Sequence, residues 1–283
     1  MSAATPAPTI AEALRHAAAA LAPVSDTPRL DAELLMASAL GVTRSDLLLR
    51  HMAAAPAPAF AALVARRRHA EPIAYIVGRR EFYGLDLAVT PDVLIPRPDS
   101  ETLIDAAREA LVGRPPVTVL DLGTGSGALL LAALSVWAEA RGLGTDRSAA
   151  ALAVAAGNAE RLGFAQRARF IVADWTQAGW AAPLGRFDLV VCNPPYVEDG
   201  AELARQVRDH EPAGALFAGP DGLDAYRVLV PQMSGLLEAH GLAVLEIGAG
   251  QAAAVAALAK AFGLRTGLRH DLAGVPRALL AKI

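Results

Sequence analysis

The first 80 residues carry apolar side chains at helical spacing, interrupted by proline, glycine and serine. Thr9 and Glu12 stand three residues apart, as in a capping box, and predict a helix that runs from Thr9 through Leu21. Three further helices are predicted over residues 28–40, 43–51 and 58–69. A small helical bundle is therefore expected in residues 1–80.

Residues 81–98 change to the alternation of apolar and polar positions that is typical of strands. We predict a β-hairpin in which Glu81–Val89 is the first strand, residues 90–92 form the turn and Val93–Ile95 is the return strand. The next residues, Asp99-Ser100-Glu101, predict the N-cap of a helix over Glu101–Leu111. The hairpin would thus link the helical bundle to the rest of the chain.

From residue 117 onward, short apolar runs alternate with helical segments, as in α/β folds with a largely parallel sheet. Strands are predicted at Val117–Leu120, Ala168–Val172, Phe187–Cys192 and Gly241–Gly248, with a final pair within residues 269–280. Helices are predicted at Ala128–Ala140, Asp224–Ala239 and Ala252–Phe262. Open α/β sheets bind ligands at the carboxyl ends of their strands, so polar residues just after these strands are candidate site residues.

The segment Asn193-Pro194-Pro195-Tyr196 directly follows the predicted strand Phe187–Cys192. Proline fixes its own φ and holds the preceding residue extended, so the chain should form a stiff edge here. Because proline has no N–H, carbonyl oxygens nearby are left free to accept hydrogen bonds. An asparagine oxygen, a carbonyl oxygen and an aromatic ring in one place suit a planar amino group, although a proline-rich turn without a site stays open.

A glycine-rich loop, Asp121-Leu122-Gly123-Thr124-Gly125-Ser126-Gly127, lies between a predicted strand and a predicted helix. Glycines allow positive φ and a close approach by a nucleotide-like ligand. Gly123, Gly125 and Ala128 also satisfy the dinucleotide fingerprint, so an NAD-binding oxidoreductase stays open at this point. Asp146 lies where either cofactor requires an acid for its ribose diol, and a helix-capping role for Asp146 is equally open.

An Asn-Pro-Pro-Tyr segment after a strand, downstream of a glycine loop, resembles the S-adenosylmethionine-dependent methyltransferases that act on planar amino groups. These include N5-glutamine protein methyltransferases and adenine-N6 nucleic-acid methyltransferases. Ile95–Glu101 and residues 211–223 resemble more closely the PrmC (HemK) family, which methylates the glutamine of the Gly-Gly-Gln loop in class-1 peptide chain release factors. That family usually carries Glu-Thr-Glu where this chain has Asp99-Ser100-Glu101.

The resemblance implies a Rossmann-like, seven-stranded S-adenosylmethionine-dependent methyltransferase domain at residues 99–283. It would follow a substrate-docking helical bundle at residues 1–80 and a β-hairpin linker at residues 81–98. The implied residues for binding S-adenosylmethionine are Asp121, Gly123, Thr124, Gly125, Ser126, Gly127, Asp146, Asp174, Trp175 and Asn193. Methyltransferases commonly place an acid and an apolar residue around adenine where Asp174 and Trp175 follow their strand, an order that dinucleotide enzymes do not use.

The resemblance also implies that Asn193, Pro194 and Tyr196 are catalytic. The substrate glutamine would lie against Asn193, Pro194, Pro195, Tyr196 and Phe82. Our hypothesis is that the Asn193 side-chain oxygen and the Pro194 carbonyl oxygen accept the two N–H bonds of the substrate amide. The alternatives are a glutamine methyltransferase that acts on a ribosomal protein and an adenine-N6 methyltransferase that acts on nucleic acid.

Charge and cysteine content bear on these alternatives. The net charge of −3 gives no overall attraction to nucleic acid, which weakens the adenine-N6 alternative without excluding it. The single cysteine, Cys192, excludes an intrachain disulfide and indicates a reducing compartment. No apolar run approaches the ~20 residues of a membrane span, and the six histidines lack metal-ligand spacing. We therefore expect a cytoplasmic, monomeric enzyme without a metal, which acts on release factors and on neither membranes nor nucleic acid.

Overall fold

The structure is a computed structural model, and it describes residues 8–283. Within these residues the α-helices are α1 (Ile10–Leu21), α2 (Pro28–Leu40), α3 (Arg44–Asp46), α4 (Phe60–Arg68), α5 (Ile73–Val77), α6 (Glu101–Ala110), α7 (Ala128–Val136), α8 (Ala149–Arg161), α9 (Arg205–Arg208), α10 (Asp224–Leu229), α11 (Met233–Leu236) and α12 (Ala252–Ala261). The strands are β1 (Arg79–Phe82), β2 (Leu85–Ala88), β3 (Thr118–Leu122), β4 (Arg141–Asp146), β5 (Ala168–Val172), β6 (Phe187–Cys192), β7 (Leu237–Glu246), β8 (Arg265–His270) and β9 (Pro276–Lys282).

The predicted helical bundle is present, and its first helix begins as predicted. Thr9 Oγ1 accepts a hydrogen bond from the Glu12 amide at 3.3 Å, and Glu12 accepts one from the Thr9 amide at 2.9 Å, which confirms the capping box. A buried ion pair joins α4 to α2, because Arg67 Nε lies 2.7 Å from Asp31 Oδ2. The predicted third helix consists of α3 and a π-helical turn over Leu47–His51.

The chain divides into two compact units. Among the described residues, the first comprises residues 8–79 together with Leu203–His210, and the second comprises Arg80–Glu202 and Glu211–Ile283. The segment Leu203–His210 thus belongs to the helical unit, although it lies far along the chain from the other members of that unit. The division of the chain into a bundle, a linker and a catalytic domain stays a prediction.

The β-hairpin is shorter than predicted. β1 and β2 are joined by Tyr83 and Gly84, with φ of 52° and 76°, and positive φ at both positions is what a two-residue type I′ turn requires. The run Glu81–Val89 therefore folds back on itself instead of forming one strand. The prediction of a return strand at Val93–Ile95 was wrong: this segment is a loop, and its Ile95 amide donates to the buried Glu211 carboxylate at 3.3 Å.

The second unit contains a seven-stranded sheet in the order β5-β4-β3-β6-β7-β9-β8. Neighbouring strands from β5 to β7 are parallel, and β9 runs antiparallel to both β7 and β8. The predicted α/β fold with a seven-stranded sheet is thereby confirmed. The antiparallel β9 also distinguishes this sheet from the 3-2-1-4-5-6 order of dinucleotide-binding folds.

Apolar side chains cover both faces of this sheet. Val119 of β3 and Val191 of β6 lie in one cluster with Leu130 of α7, and the neighbouring residues Leu120 and Val190 lie in a second cluster on the other face. This alternation explains why the central strands are continuous apolar runs, because a strand buried on both faces needs apolar residues at every position.

Two helices predicted in this unit extend too far. α7 ends at Val136, because Trp137 adopts extended backbone angles, so its predicted end at Ala140 was wrong. α10 ends at Leu229, and the predicted helix to Ala239 is interrupted by a 3-10 turn that contains Pro231, whose ring cannot continue an α-helix. No helix within residues 8–283 is long and apolar enough to cross a membrane.

Candidate active site

A cavity of about 490 Å³ lies at the carboxyl ends of β3, β4, β5 and β6, and residues at or just after these strand ends form part of its lining. The predicted site residues in its lining are Phe82, Asp121, Gly123, Thr124, Gly125, Ser126, Asp146, Asp174, Trp175, Asn193 and Pro195. Gly127, Pro194 and Tyr196 do not contribute to the lining. The structure therefore brings together most of the residues that the sequence indicated.

The glycine loop allows an aromatic ring to approach its backbone. Gly123 has a φ of +71°, and a Cβ atom at this position would lie 3.1 Å from the Trp175 ring. The amides of Gly123 and Thr124 both donate to the Thr145 carbonyl, at 2.8 and 2.9 Å, so the loop is fixed to the end of β4. Gly123 therefore permits the Trp175 ring to form a flat apolar wall of the cavity.

Asp146 is the predicted acid at the end of β4. Its Oδ2 accepts a hydrogen bond from the Gly125 amide at 3.0 Å, and its Oδ1 accepts one from the Ser148 amide at 2.9 Å. Ser148 caps α8 through the Ala151 amide at 3.1 Å, so the capping role left open for Asp146 belongs to Ser148. The carboxylate of Asp146 thus lines the cavity while its contacts hold the glycine loop.

Asp121 presents a buried oxygen atom without a hydrogen-bond partner among the described residues. The residue is 1% exposed; its Oδ2 accepts from Thr124 Oγ1 at 2.6 Å and from the Leu130 amide at 3.3 Å, while its Oδ1 accepts from no group. Burial raises the pKa of Asp121 to about 7. An unpartnered carboxylate oxygen beside a cavity is a suitable acceptor for a cationic group of a ligand.

Asp174 follows β5 and is held by its own turn. Its Oδ1 accepts from the Thr176 amide at 2.9 Å and from the Thr176 hydroxyl at 2.7 Å. The backbone hydrogen bond from Thr176 lowers the pKa of this carboxyl group, so Asp174 is ionised at neutral pH. Asp174 and Trp175 therefore line the cavity with one charged acceptor and one ring.

Asn193 has one side-chain atom engaged and one without a partner. Its Nδ2 donates to Ser100 Oγ at 3.3 Å, and within residues 8–283 no donor reaches its Oδ1. The Pro194 carbonyl likewise accepts no hydrogen bond from the described part of the chain. The two acceptors proposed from the sequence are therefore both without a partner. Ser100 does not cap α6, so that prediction was wrong: its hydroxyl donates to Glu246.

Tyr196 lies against Glu246 and not in the cavity lining. The Tyr196 hydroxyl donates to Glu246 Oε1 at 3.1 Å, and both burial and this carboxylate raise the tyrosine pKa. Glu246 is 1% exposed at the end of β7, and burial raises its pKa. Glu246 was not among the residues predicted from the sequence. The signal for it was a single acid within the apolar run Gly241–Gly248, because buried carboxylates are rare unless paired. Phe82 is 1% exposed and lines the cavity.

Gly222 supports the backbone of Tyr196, and we expect its replacement by alanine to disturb the site. Gly222 has a φ of +69°, and an added Cβ would lie 2.3 Å from the Tyr196 carbonyl oxygen, which is backbone and cannot rotate away. Gly222→Ala should lower the free energy of unfolding by about 1–3 kcal/mol and reduce the catalytic activity. Urea unfolding and a turnover assay would measure these effects.

The matched control for this substitution is Gly157→Ala on α8. Gly157 is exposed, and an added Cβ would meet no atom within 4 Å. This variant should be about 0.5–1 kcal/mol more stable than the wild type and equally active. Equal stability of the Gly222→Ala variant and the wild type would contradict the prediction.

Groups of three or more His, Cys, Asp or Glu side chains that could hold a metal ion do not occur in residues 8–283. The absence of a metal from the reaction stays a prediction, as do the roles assigned to the individual site residues.

Two family models match the chain: a PrmC N-terminal domain over residues 12–78 and a methyltransferase domain over residues 114–232. Among solved structures, the hMettl16 catalytic domain in complex with MAT2A 3′UTR hairpin 6 is 16% identical with a TM-score of 0.57, covering 78% of this chain and 81% of that one. A methyltransferase from Pyrococcus furiosus is 17% identical with a TM-score of 0.50, covering 70% and 88%. At these identities both structures indicate a common fold alone.

Curated relatives match nearly the whole chain. A protein from Nitratidesulfovibrio vulgaris is 40% identical over 95% of this chain and 93% of its own length. A protein from Bordetella pertussis is 45% identical over 88% and 93%, and one from Cereibacter sphaeroides is 42% identical over 96% and 98%. Each is named release factor glutamine methyltransferase. With both domain models matched and relatives of this similarity aligned almost end to end, the chain belongs to the release factor glutamine methyltransferase family.

Proposed function

We propose that this protein transfers a methyl group from S-adenosylmethionine to the side-chain amide nitrogen of the glutamine in the Gly-Gly-Gln loop of class-1 peptide chain release factors. The observation that carries the proposal is the pair of acceptors without partners, Asn193 Oδ1 and the Pro194 carbonyl, at the carboxyl end of β6. Two acceptors at this place match the two N–H bonds of a primary amide. The names of the relatives support the choice of substrate.

The residues around the cavity fit S-adenosylmethionine, which when bound would supply an electrophilic methyl group on a sulfonium and, after the S–CH₃ bond breaks, would leave as S-adenosylhomocysteine. The unpartnered Asp121 Oδ1 suits the α-ammonium group, and Asp146 suits the ribose diol. Asp174 and the Trp175 ring suit the amino group and the face of adenine. Gly123 has no Cβ atom, which would crowd the Trp175 ring, so this ring can form the apolar wall of the cavity.

The chemical difficulty lies in the amide nitrogen, because its lone pair is delocalised into the carbonyl group. Complete loss of this delocalisation would cost about 18–20 kcal/mol, the rotational barrier of a peptide bond. One preorganised polar contact contributes roughly 3–4 kcal/mol, so Asn193 and Pro194 cannot localise the lone pair by themselves. Orientation adds about 7–11 kcal/mol in favourable cases, and we assign most of the acceleration to it.

In this mechanism Asn193 Oδ1 and the Pro194 carbonyl hold both N–H bonds and direct the nitrogen lone pair toward the methyl group. Both hydrogen bonds become stronger as positive charge develops on the nitrogen, because its N–H groups become better donors. The nitrogen then loses a proton to water or to these acceptors, so no dedicated base is needed. Phe82 contributes an apolar wall. Tyr196 follows Pro194 and Pro195 in the chain and forms the edge of the site next to the substrate.

An adenine-N6 methyltransferase is less well supported. The acceptor pair would also suit an adenine amino group, but an enzyme that acts on duplex DNA has to grip phosphates and extrude a base. The chain has 26 Lys and Arg against 29 Asp and Glu, so it has no excess of the cationic groups that phosphates require. Because translation terminates in the cytoplasm, the proposed substrate supports a cytoplasmic location for the enzyme.

The proposed function can be tested by offering tritiated S-adenosylmethionine together with purified release factor, ribosomes and DNA in separate reactions. We expect label in the release factor alone. Label in DNA would favour the adenine-N6 alternative, and label in a ribosomal protein without label in the release factor would favour the ribosomal alternative. Calorimetric titration with S-adenosylmethionine and with NAD tests the cofactor separately.

We expect the affinity for S-adenosylmethionine to fall as the pH is lowered through about 7. The pKa of Asp121 is raised to about 7 in the free protein, and only the ionised carboxylate attracts the α-ammonium group. Above about pH 8 the α-amino group loses its own proton, so affinity should be highest between these values. Calorimetry from pH 5.5 to 8.5 measures this profile.

Asp121→Asn should bind S-adenosylmethionine more weakly at neutral pH, and its affinity should no longer fall as the pH is lowered through about 7. The matched control is Asp174→Asn, because the pKa of Asp174 is already lowered and this group does not titrate in the same range. An acidic limb that survives in Asp121→Asn would show that another group titrates.

A further inference from the structure

Glu246 is a buried carboxylate next to the proposed acceptors, and the mechanism above gives it no role. Its Oε1 accepts from the Tyr196 hydroxyl, and its Oε2 accepts from the Ser100 hydroxyl at 2.5 Å. Ser100 Oγ in turn accepts from Asn193 Nδ2 at 3.3 Å. Ser100 is 3% exposed, so water does not compete for these bonds. A hydrogen-bonded chain thus runs from Glu246 at the end of β7 through Ser100 to Asn193.

The direction of this chain follows from the number of hydrogens. An ionised carboxylate can only accept, and a serine hydroxyl has one hydrogen to donate. When Ser100 donates that hydrogen to Glu246, only its lone pairs face Asn193. Asn193 must then present its NH₂ group to Ser100 and its oxygen to the other side. Packing alone would not select this orientation, because the two ends of an amide group have nearly the same shape.

We infer that Glu246 and Ser100 are positioning residues, which act through Asn193 and fix its amide group with the oxygen toward the substrate. The inference rests on the proposed role of Asn193 as an acceptor. It explains why an acid occupies the end of a strand whose adjacent positions in the sequence, Leu245 and Ile247, are apolar and buried. It also agrees with the absence of a side-chain cap at Ser100, which has helical backbone angles and whose hydroxyl is bonded to Glu246 and Asn193 and not to an amide of α6.

Protonation of Glu246 would remove this constraint on the orientation of the Asn193 amide group. A neutral carboxyl group can donate to Ser100, and Ser100 could then donate to Asn193 Oδ1 and occupy the oxygen that the substrate needs. The ionisable groups that face Glu246 are Arg277 from β9, Asp99 before α6, Cys192 in β6, Tyr196 after β6 and Tyr226 on α10. Burial raises the pKa of Glu246 above its usual value, and the hydrogen bonds from Ser100 and Tyr196 and the charge of Arg277 only partly oppose this increase. The turnover rate at saturating substrates should therefore fall toward acidic pH.

The first test compares three serine variants of the full chain. Ser100→Ala should lower kcat roughly tenfold and leave the KM for S-adenosylmethionine unchanged, since one hydrogen bond that orients Asn193 is lost. Ser100→Thr keeps the hydroxyl and should retain activity. Ser135→Ala is the control and should be fully active, because Ser135 is an exposed residue whose hydroxyl donates only to the Ala132 carbonyl on α7. Wild-type kcat in Ser100→Ala would overturn the inference.

The second test asks whether Ser100 acts through Asn193. In an Asn193→Ala background, Ser100→Ala should cause no further loss of kcat, because the group that it orients is absent. An equal further loss in that background would show a structural role and overturn the inference. Near-normal turnover of Asn193→Ala alone would instead contradict the proposed function, so the two failures are distinguishable.

Glu246→Gln provides an independent variant with nearly unchanged shape. It should lose the acidic fall of kcat, because glutamine does not titrate, and its kcat at neutral pH should be below that of the wild type. An acidic fall that persists in Glu246→Gln at the wild-type pH would assign the titration to another group and overturn the inference.

Discussion

Replacing Asn193 by alanine should lower the rate of methyl transfer about a hundredfold, roughly the effect of removing one preorganised polar group. The side-chain oxygen of Asn193 has no partner within residues 8–283, so it is available to the substrate amide. Its loss removes one of the two acceptors that orient the nitrogen, while the Pro194 carbonyl remains. Single-turnover kinetics with saturating S-adenosylmethionine would measure the chemical step separately from product release.

The same variant should fold and should bind the cofactor with nearly unchanged affinity. Asn193 makes one side-chain hydrogen bond in the structure, to Ser100, and its side chain is partly exposed. Thermal unfolding and calorimetry would check both properties. Near-normal turnover would contradict the role proposed for Asn193. An unfolded variant would show that its contact with Ser100 is needed for stability.

Asn158, the other asparagine of the chain, offers a contrasting variant. It is fully buried, and its Nδ2 donates to the carbonyls of Ala88 and Ser126, so it joins β2 to the glycine loop. Asn158→Ala should therefore lower stability and weaken cofactor binding, the opposite pattern to that of Asn193→Ala. The comparison separates loss of an acceptor from loss of a structural contact.

The strands that the sequence predicted best are those bounded by strong local signals. Ala168–Val172 and Phe187–Cys192 have the predicted bounds, because an aspartate turn or two prolines end each apolar run. The hairpin was misplaced because its turn uses Tyr83 at positive φ, which aromatic residues rarely adopt, while Thr90-Pro91-Asp92 carries a stronger turn pattern. The local pattern therefore predicted a strand end correctly where the residues at that end adopt the backbone conformation that is usual for their type.

The contacts that sequence could not predict are those between distant residues. Ser100 and Glu246 are 146 positions apart, and only the fold brings the hydroxyl to the carboxylate. The local pattern around Ser100 favoured an N-cap, and a tertiary partner prevailed over that preference. In the same way, nothing within Leu203–His210 indicated that this segment belongs to the helical unit. The sequence predicted the members of the cofactor cavity, but not how Asn193 is oriented.

Release factor in which the Gly-Gly-Gln glutamine is replaced should accept no methyl group at that position, whichever of three residues replaces it. Alanine has no amide group. Glutamate has no N–H to donate, and its charge would be repelled by the oxygens of Asn193 and Pro194. Asparagine has the amide group but is shorter by one methylene group, and because a displacement of about 1 Å can already cost a hundredfold in rate, its label should not exceed the background. The asparagine variant is thus the most demanding test of orientation.

The measurement is incorporation of tritium from S-adenosylmethionine into each purified release factor, followed by peptide mapping of the labelled site. Competition by each unlabelled variant against the intact protein shows whether it still binds to the enzyme, so that loss of label can be assigned to the reacting group. We expect all three variants to compete and none to be labelled at the loop. Label in the glutamate variant would contradict recognition through two N–H bonds. Equal label in the alanine variant and the intact factor would place the methylated residue elsewhere and overturn the assignment of the substrate, because the acceptor pair at Asn193 and Pro194 would then have no amide of this loop to hold.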